Sequence, residues 1–296
     1  MSSSIERLAT RNTLVGESLP IRRALPTKGR RMIGAWCFLD HAGPVTLDND
    51  QDFRVGPHPH IGLQTFTWMI EGEILHRDSL GYQQVLRPGQ VNLMTAGQGI
   101  SHSEEAIPGQ TRLHLAQLWI ALPDAHRHTV PAFQHYPTLP VLQQGGFTVT
   151  VLAGTSLEQT SPVQVYSPMT GIDLTSTGTA ETQMTLNPLF EHGALVLDGE
   201  VTVQGESLEP GTLLYMSPGL TQLHLKTSAA ARVLLLGGKP FNEQVLLWWN
   251  FVARNEAEII QATNDWNTQS GRFGEVKGYE GERLVAPGTE GLHLRK

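Results

Sequence analysis

The sequence predicts an all-β protein: two tandem antiparallel barrels, with one helix near the C-terminus. Three observations carry this. Gly 30 and Pro 18 together make 48 of the 296 residues, which punctuates the chain often and favours short strands over long helices. Between the turn residues stand apolar runs with strand character, some of them alternating, as in Thr65-Phe66-Thr67-Trp68. The second half also partly repeats the first: setting Pro88-Gly89 on Pro210-Gly211 gives an offset of 122 that lays Met94 on Met216 and Gly97 on Gly219, while Gly72-Glu73 meets Gly199-Glu200 at 127.

Taken in order, residues 61–122 read as TFTWMI, the turn Glu71-Gly72, EILHRD, the turn Ser79-Leu80-Gly81, QQVL, the turn Arg87-Pro88-Gly89, and QVNLM. A proline-rich stretch with Pro123, Pro131, Pro137 and Pro140 then runs to Gly145-Gly146 and reads as a linker. Beyond it come FTVTVLAG, ALVLDGEVTVQG, TLLYM and ARVLLLGG. The exception to the β pattern is late. Asn255 can cap a helix with Glu258 at its third position, and Ile259, Ala262, Thr263 and Trp266 then line one face.

Composition excludes several classes. The formal charge is −7, from 21 basic and 28 acidic side chains, without a basic cluster larger than pairs such as Arg22-Arg23, which argues against nucleic acid as a direct ligand. No apolar run reaches the roughly 18 residues needed to span a membrane, and MSSSIERLATR lacks a signal-peptide core. One cysteine, Cys37, cannot form an internal disulfide, so a reducing, cytoplasmic location is expected, with Cys37 itself a buried small hydrophobe.

Histidine is the informative residue. Nine of the 12 precede residue 136. His58-Pro59-His60 opens the first strand-rich stretch, and His102-Ser103-Glu104 follows the turn Gly97-Gln98-Gly99. Side chains two apart share a face of a strand, so two neighbouring strands could aim four donors at one point. Three imidazoles and a carboxylate suit iron, manganese, nickel, copper or zinc rather than calcium or magnesium, and an ion preferring six ligands would keep open positions. Chance alone gives roughly half an HxH pair in such a chain, and His126-Arg127-His128 reads as a solvated loop pair. What distinguishes His58 and His60 is the companion HxE motif at barrel spacing. In the second half the offset of 122 carries position 102 to His224 and 104 to Lys226, and 127 carries 58 and 60 to Thr185 and Asn187. One donor in four survives, a poor seat for a dication, so His224 reads as structural.

The segment PHPHIGLQTFTWMIEGEILHRDSLG followed by RPGQVNLMTAGQGISHSE closely resembles the signature of the pirin family, members of the bicupin superfamily. IRRALP, IGAWCFLDHAGP, WWNFVARNEAEIIQA and RFG extend the resemblance over nearly the whole chain. It implies two cupin-type barrels: residues 1–135 as a metal-binding barrel, 136–144 as the end of the linker, and 145–296 as a barrel lacking metal ligands, with the helix near 255–266. It implies one transition metal ion per chain, Fe(II) first with Mn, Ni, Cu or Zn as alternatives, held by His58, His60, His102 and Glu104. Ile61 and Gln64 stand where other pirins often carry arginine and glutamate, which alters the charge beside the ligands.

The activity implied is that of a quercetinase: a flavonol and dioxygen give ring cleavage with loss of carbon monoxide. Glu104, the one carboxylate of the set, would accept the flavonol 3-hydroxyl proton as general base, and Phe38, Trp68 and Met94 are candidate walls for an aromatic substrate. The other implied role is a metal-dependent regulator that binds a transcription factor or metabolic enzyme. No G-x-S-x-G nucleophile motif is present.

Overall fold

The computed structural model describes residues 4–15, 19–47 and 53–290. Strands dominate, and several match the sequence runs to the residue, among them Gln83–Leu86, Thr212–Met216 and Ala231–Gly238. The chain divides into two compact units. One comprises Leu14–Ile21, Ala42–Pro137 and Asn242–Lys296; the other comprises Met1–Thr13, Arg22–His41 and Thr138–Phe241.

In the first unit a four-stranded sheet runs in the order Arg54–His60, Ile100–Ala106, Ile74–Asp78, Gln83–Leu86. A larger sheet contains Ala132–Tyr136, Val91–Thr95, Leu63–Glu71 and Arg112–Ala121 as successive neighbours. Val55, Ile74 and Leu86 from the small sheet close against Met69, Leu113 and Leu115 from the large one in a single apolar cluster. Alternation puts Thr65 and Thr67 on the same inward face as Met69. In the second unit the eight-stranded sheet built on Thr212–Met216, Glu191–Asp198, Ala231–Gly238 and Met169–Ser176 pairs its inward residues with a four-stranded sheet of Ala180–Thr185, Gln222–Thr227, Val201–Val203 and Glu206–Leu208.

The grouping differs from the expected 1–135 and 145–296 at both ends. The N-terminal strand Ile5–Ala9 pairs with Thr212–Met216, Ile5 opposite Met216, and so extends the second unit's sheet. Residues 242–296, helix included, group with the first unit instead. There Ala262 and Trp266 of the helix pack in one cluster with Ile61, Phe251 and Phe273. Local patterning says that an element has an apolar face; it does not say which barrel receives it. The helix itself spans Glu256–Asn267 and buries Ile259, Ala262, Thr263 and Trp266. Its N-cap is closed: Glu258 N–H donates to Asn255 Oδ1 at 3.0 Å, and the Glu258 carboxylate reaches back to accept from Asn255 Nδ2 at 2.7 Å and from the Arg254 backbone N–H at 3.0 Å.

The proline-rich stretch is also more than a linker. Ala132–Tyr136 is a strand laid on Val91–Thr95, with Phe133 opposite Met94. His126 and His128 are exposed, and Cys37 is buried, as expected.

Candidate metal centre

His58 and His60 end the strand Arg54–His60, which is an edge of its sheet. That position tolerates Pro57 and Pro59, since a proline lacks the N–H that a central strand would need on both sides. His102 lies directly opposite His58 on one side and Asp78 on the other, while Glu104 lies opposite His76. Between His102 and Glu104 the pairing with the His58 strand slips, so that Glu104 faces Val55. Such a bulge re-aims the side chains beyond it. The turn before this strand requires glycine: at Gly97 φ is +51°, and a Cβ there would stand 2.0 Å from the Thr129 carbonyl oxygen.

The geometry divides the four expected ligands. His58, His60 and His102 place ligand atoms within 4.8 Å of one another, and a second group at the same spacing is His76, His102 and Glu104. His102 belongs to both. Glu104 therefore joins the site through His102 and His76 rather than beside His58 and His60.

Hydrogen bonds fix which ring nitrogens carry protons. His58 Nδ1–H donates to the Gly56 carbonyl at 2.8 Å and His60 Nδ1–H to the Asn250 carbonyl at 2.9 Å, leaving a lone pair on each Nε2. Asp78 Oδ1 accepts from the backbone N–H groups of Leu80 and Tyr82 at 2.9 and 3.1 Å, and Oδ2 lies 3.1 Å from His76 Nε2. A carboxylate only accepts, so the His76 proton sits on Nε2 and its Nδ1 is an acceptor. His102 Nδ1, 3.4 Å from that atom, must then be the donor, and His102 Nε2 keeps its lone pair. Two lone pairs thus face each other across 3.1 Å, His60 Nε2 to His102 Nε2. That contact is repulsive unless a cation shares it. Two ligand nitrogens at right angles, each about 2.1 Å from an ion, are about 3.0 Å apart. The residues therefore fit a transition metal ion, with the free ring nitrogens held by backbone carbonyls and the His76–Asp78 pair in the manner usual for ligating histidines.

Electrostatics agree. Burial pushes the His58 imidazole down to about 4, and burial with the neighbouring imidazoles holds His60 and His102 well below the usual histidine range. All three are neutral near pH 7, the form that ligates. Burial raises the Glu104 carboxyl to about 7.

The wall opposite the histidines corrects two sequence expectations. Met94 pairs with Thr65 and shares its inward face, so it lies on the wall of the barrel interior. Trp68, in contrast, is out of phase with Thr65, Thr67 and Met69 and points to the other face of the sheet. Phe38 falls in the other unit, where the Arg23 guanidinium lies 4.5 Å from its ring centre and pairs with Asp40 through two contacts of 2.7 Å. The aromatic rings that lie against the histidines are Trp119, edge-on to His60 at 5.2 Å, and Phe133, stacked on His76 at 4.4 Å. Phe133 was hidden in what reads as a linker. His76-Arg77-Asp78 carried a usable signal: it is a third pair of polar residues two apart on a strand, like HPH and HSE.

Ile61, where an arginine is common in the resembling family, is buried in the apolar cluster with Phe251 and Trp266. Gln64 donates to Thr95 Oγ1 at 3.0 Å. In the second unit the register is one residue away from the sequence offsets. Met184 lies opposite Leu223 there, as His58 lies opposite His102, and Met184, Leu186, Leu223 and Leu225 face the apolar interior. His224 points outward to Glu181, 2.7 Å away. A one-residue slip exchanges the faces of a strand.

Comparison with known proteins places this geometry. The family model for Pirin matches residues 18–120, and that for the Pirin C-terminal cupin domain matches residues 171–274. A Pseudomonas aeruginosa protein named "Putative quercetin 2,3-dioxygenase PA1205" is 50% identical over 283 residues, covering 96% of this chain and 90% of its own. The crystal structure of a quercetin 2,3-dioxygenase from Acinetobacter baumannii superposes with a TM-score of 0.95 at 50% identity, covering 99% of this chain and 98% of that one. The Escherichia coli pirin YhhW, solved in complex with nickel(II), shares the fold at 20% identity and a TM-score of 0.64, over 80% of this chain and 100% of its own. With both halves matched by the family's models and a relative at this identity over almost its full length, the chain belongs to the pirin family.

Proposed function

We propose that this protein is a metal-dependent dioxygenase that opens the heterocyclic ring of a flavonol such as quercetin. One observation carries the reading: three neutral, buried imidazoles turn unprotonated Nε2 atoms toward one point, with the lone pairs of His60 and His102 only 3.1 Å apart. The likeness to proteins named as quercetin 2,3-dioxygenases supplies the substrate class. Fe(II) is the ion we assign first.

When bound, the ion would supply a Lewis acid and open positions for substrate oxygen and dioxygen. The chain's own groups do the rest. His58, His60 and His102 hold the ion, each kept in one tautomer by its outer hydrogen bond. Glu104, whose carboxyl burial raises to about 7, accepts the flavonol 3-hydroxyl proton, because a base titrating near the working pH takes and returns a proton readily. Trp119, Met94 and Phe133 offer a flat apolar wall to an aromatic ring system and keep bulk water from it. We place the protein in the cytoplasm, in keeping with its single cysteine; among the described residues no helix is long and apolar enough to cross a membrane.

Metal-loaded protein is expected to consume dioxygen and release carbon monoxide with quercetin, and His102→Ala to lose both metal and turnover. Metal-replete protein that converts quercetin no faster than flavonol autoxidation would refute the enzymatic reading and leave a metal-dependent binding protein. Failure of freshly purified or reconstituted protein to hold any transition metal would remove both.

A further inference from the structure

The second barrel has a cavity of about 330 Å³ at the mouth that corresponds to the metal-bearing end of the first. The correspondence follows from pairing. The two hairpins align at an offset of 127, which carries Thr65 to His192. In the first barrel Thr65 is paired with Trp119, and in the second His192 is paired with Gly237. Where the first barrel sets the Trp119 indole, the second therefore has a glycine. A Cβ built on Gly237 would stand 2.7 Å from His192 Cδ2 and 2.8 Å from Thr170 Cγ2, so these two side chains pack over the glycine and reach the cavity beside it.

The lining is uncharged and two-sided. Met169, Ile172, Leu186 and Phe190 give an apolar lining, to which His192 and Thr170 add buried polar side chains. His192 is only 1% exposed and Thr170 6%. Among the described residues neither His192 Nδ1 nor Thr170 Oγ1 has a hydrogen-bond partner. Leaving two buried polar atoms unpaired is costly, and a guest bonding to both would recover that cost. Among the described residues no carboxylate lines the space, and burial pushes the imidazole down to about 4, so the site offers an ion neither a counter-charge nor an anionic ligand.

We propose that this mouth binds an uncharged small molecule carrying a hydroxyl on a ring or short hydrocarbon body, with the hydroxyl between His192 and Thr170 and the body against Phe190 and Met169. The volume lies at the small end of the range for ligand pockets. The inference is independent of the metal-centre reading.

The test uses the full-length, metal-free protein labelled with ¹⁵N, titrated with phenol and followed through the histidine ring nitrogens, His192 being assigned by its loss in His192→Phe. The expected result is a saturable shift of the His192 nitrogens alone. Thr170→Val, which keeps shape and removes the hydroxyl, should weaken phenol about 2- to 10-fold, from one hydrogen bond to a neutral group. Three results overturn the proposal: His192 resonances that do not move, as a site filled by ordered water alone would give; shifts that stay linear in phenol; or saturable shifts confined to the first-barrel histidines. Unchanged affinity in Thr170→Val, with a wild-type unfolding curve, refutes the placement of the hydroxyl.

Discussion

Asp78→Asn tests the proton order that underlies the metal site. The side chain keeps its shape, and Oδ1 can still accept from Leu80 and Tyr82. At the other position an acceptor becomes an N–H donor, 3.1 Å from His76 Nε2. His76 must then carry its proton on Nδ1 and point it at His102 Nδ1, 3.4 Å away. His102 in turn must hold its proton on Nε2, the atom the ion needs. The variant can escape by flipping the new amide, which sets a donor against two backbone donors, or by giving up the His76–His102 hydrogen bond so that His102 keeps its tautomer. The second route is cheaper, because that contact is long. Losing a buried hydrogen bond of this kind costs about 1 to 3 kcal/mol, which brackets the about 10- to 100-fold loss of metal affinity usual for the partners of ligating groups. The assay is Co(II) or Fe(II) affinity by chelator competition, with the Co(II) absorption spectrum as a check on ligand geometry. Metal-free Asp78→Asn should unfold close to wild type, since the fold loses no bond it cannot replace. A dissociation constant within twofold of wild type would refute the tautomer argument while leaving the site itself standing.

Three further outcomes follow from separate parts of the molecule. His192 titrates near 4 when folded and near 6.5 when unfolded, so the unfolded chain binds the extra proton between those values and stability falls as pH drops through the window; from pH 7 to 5 this one group should cost about 2 kcal/mol, and urea unfolding of His192→Phe should lose about that much less than wild type. Ile61→Arg, which restores the residue common in the resembling family, would bury a guanidinium among Phe251, Ala262 and Trp266, and a loss of about 3 kcal/mol or more is expected by thermal unfolding; a neutral outcome would mean that Ile61 does not seat the C-terminal helix. Asn255→Ala removes the acceptor for Glu258 N–H, and a loss of about 1 kcal/mol in unfolding free energy should appear, with far-ultraviolet circular dichroism otherwise unchanged.

The strands, the helix with its cap and buried face, and the three histidines that converge were all legible in the chain. These are local properties: alternation, turn residues and side-chain spacing act within a few positions, and each is written in the chain at that point. Asn255 and Glu258 show it well, because an N-cap needs only residues three apart. Which partners those elements met came from long-range packing. It set Asp78 behind His76 and His76 behind His102, turned Trp68 away from the site while bringing Trp119 and Phe133 to it, and moved the second barrel's interior one residue off the repeat, from His224 to Leu223 and Leu225. It also assigned each chain end to the barrel distant in sequence. The reason is the same in every case. Cross-strand register and sheet order arise from pairing between segments far apart in the chain, where a single-residue slip inverts which side chains face inward, and no local pattern carries that information.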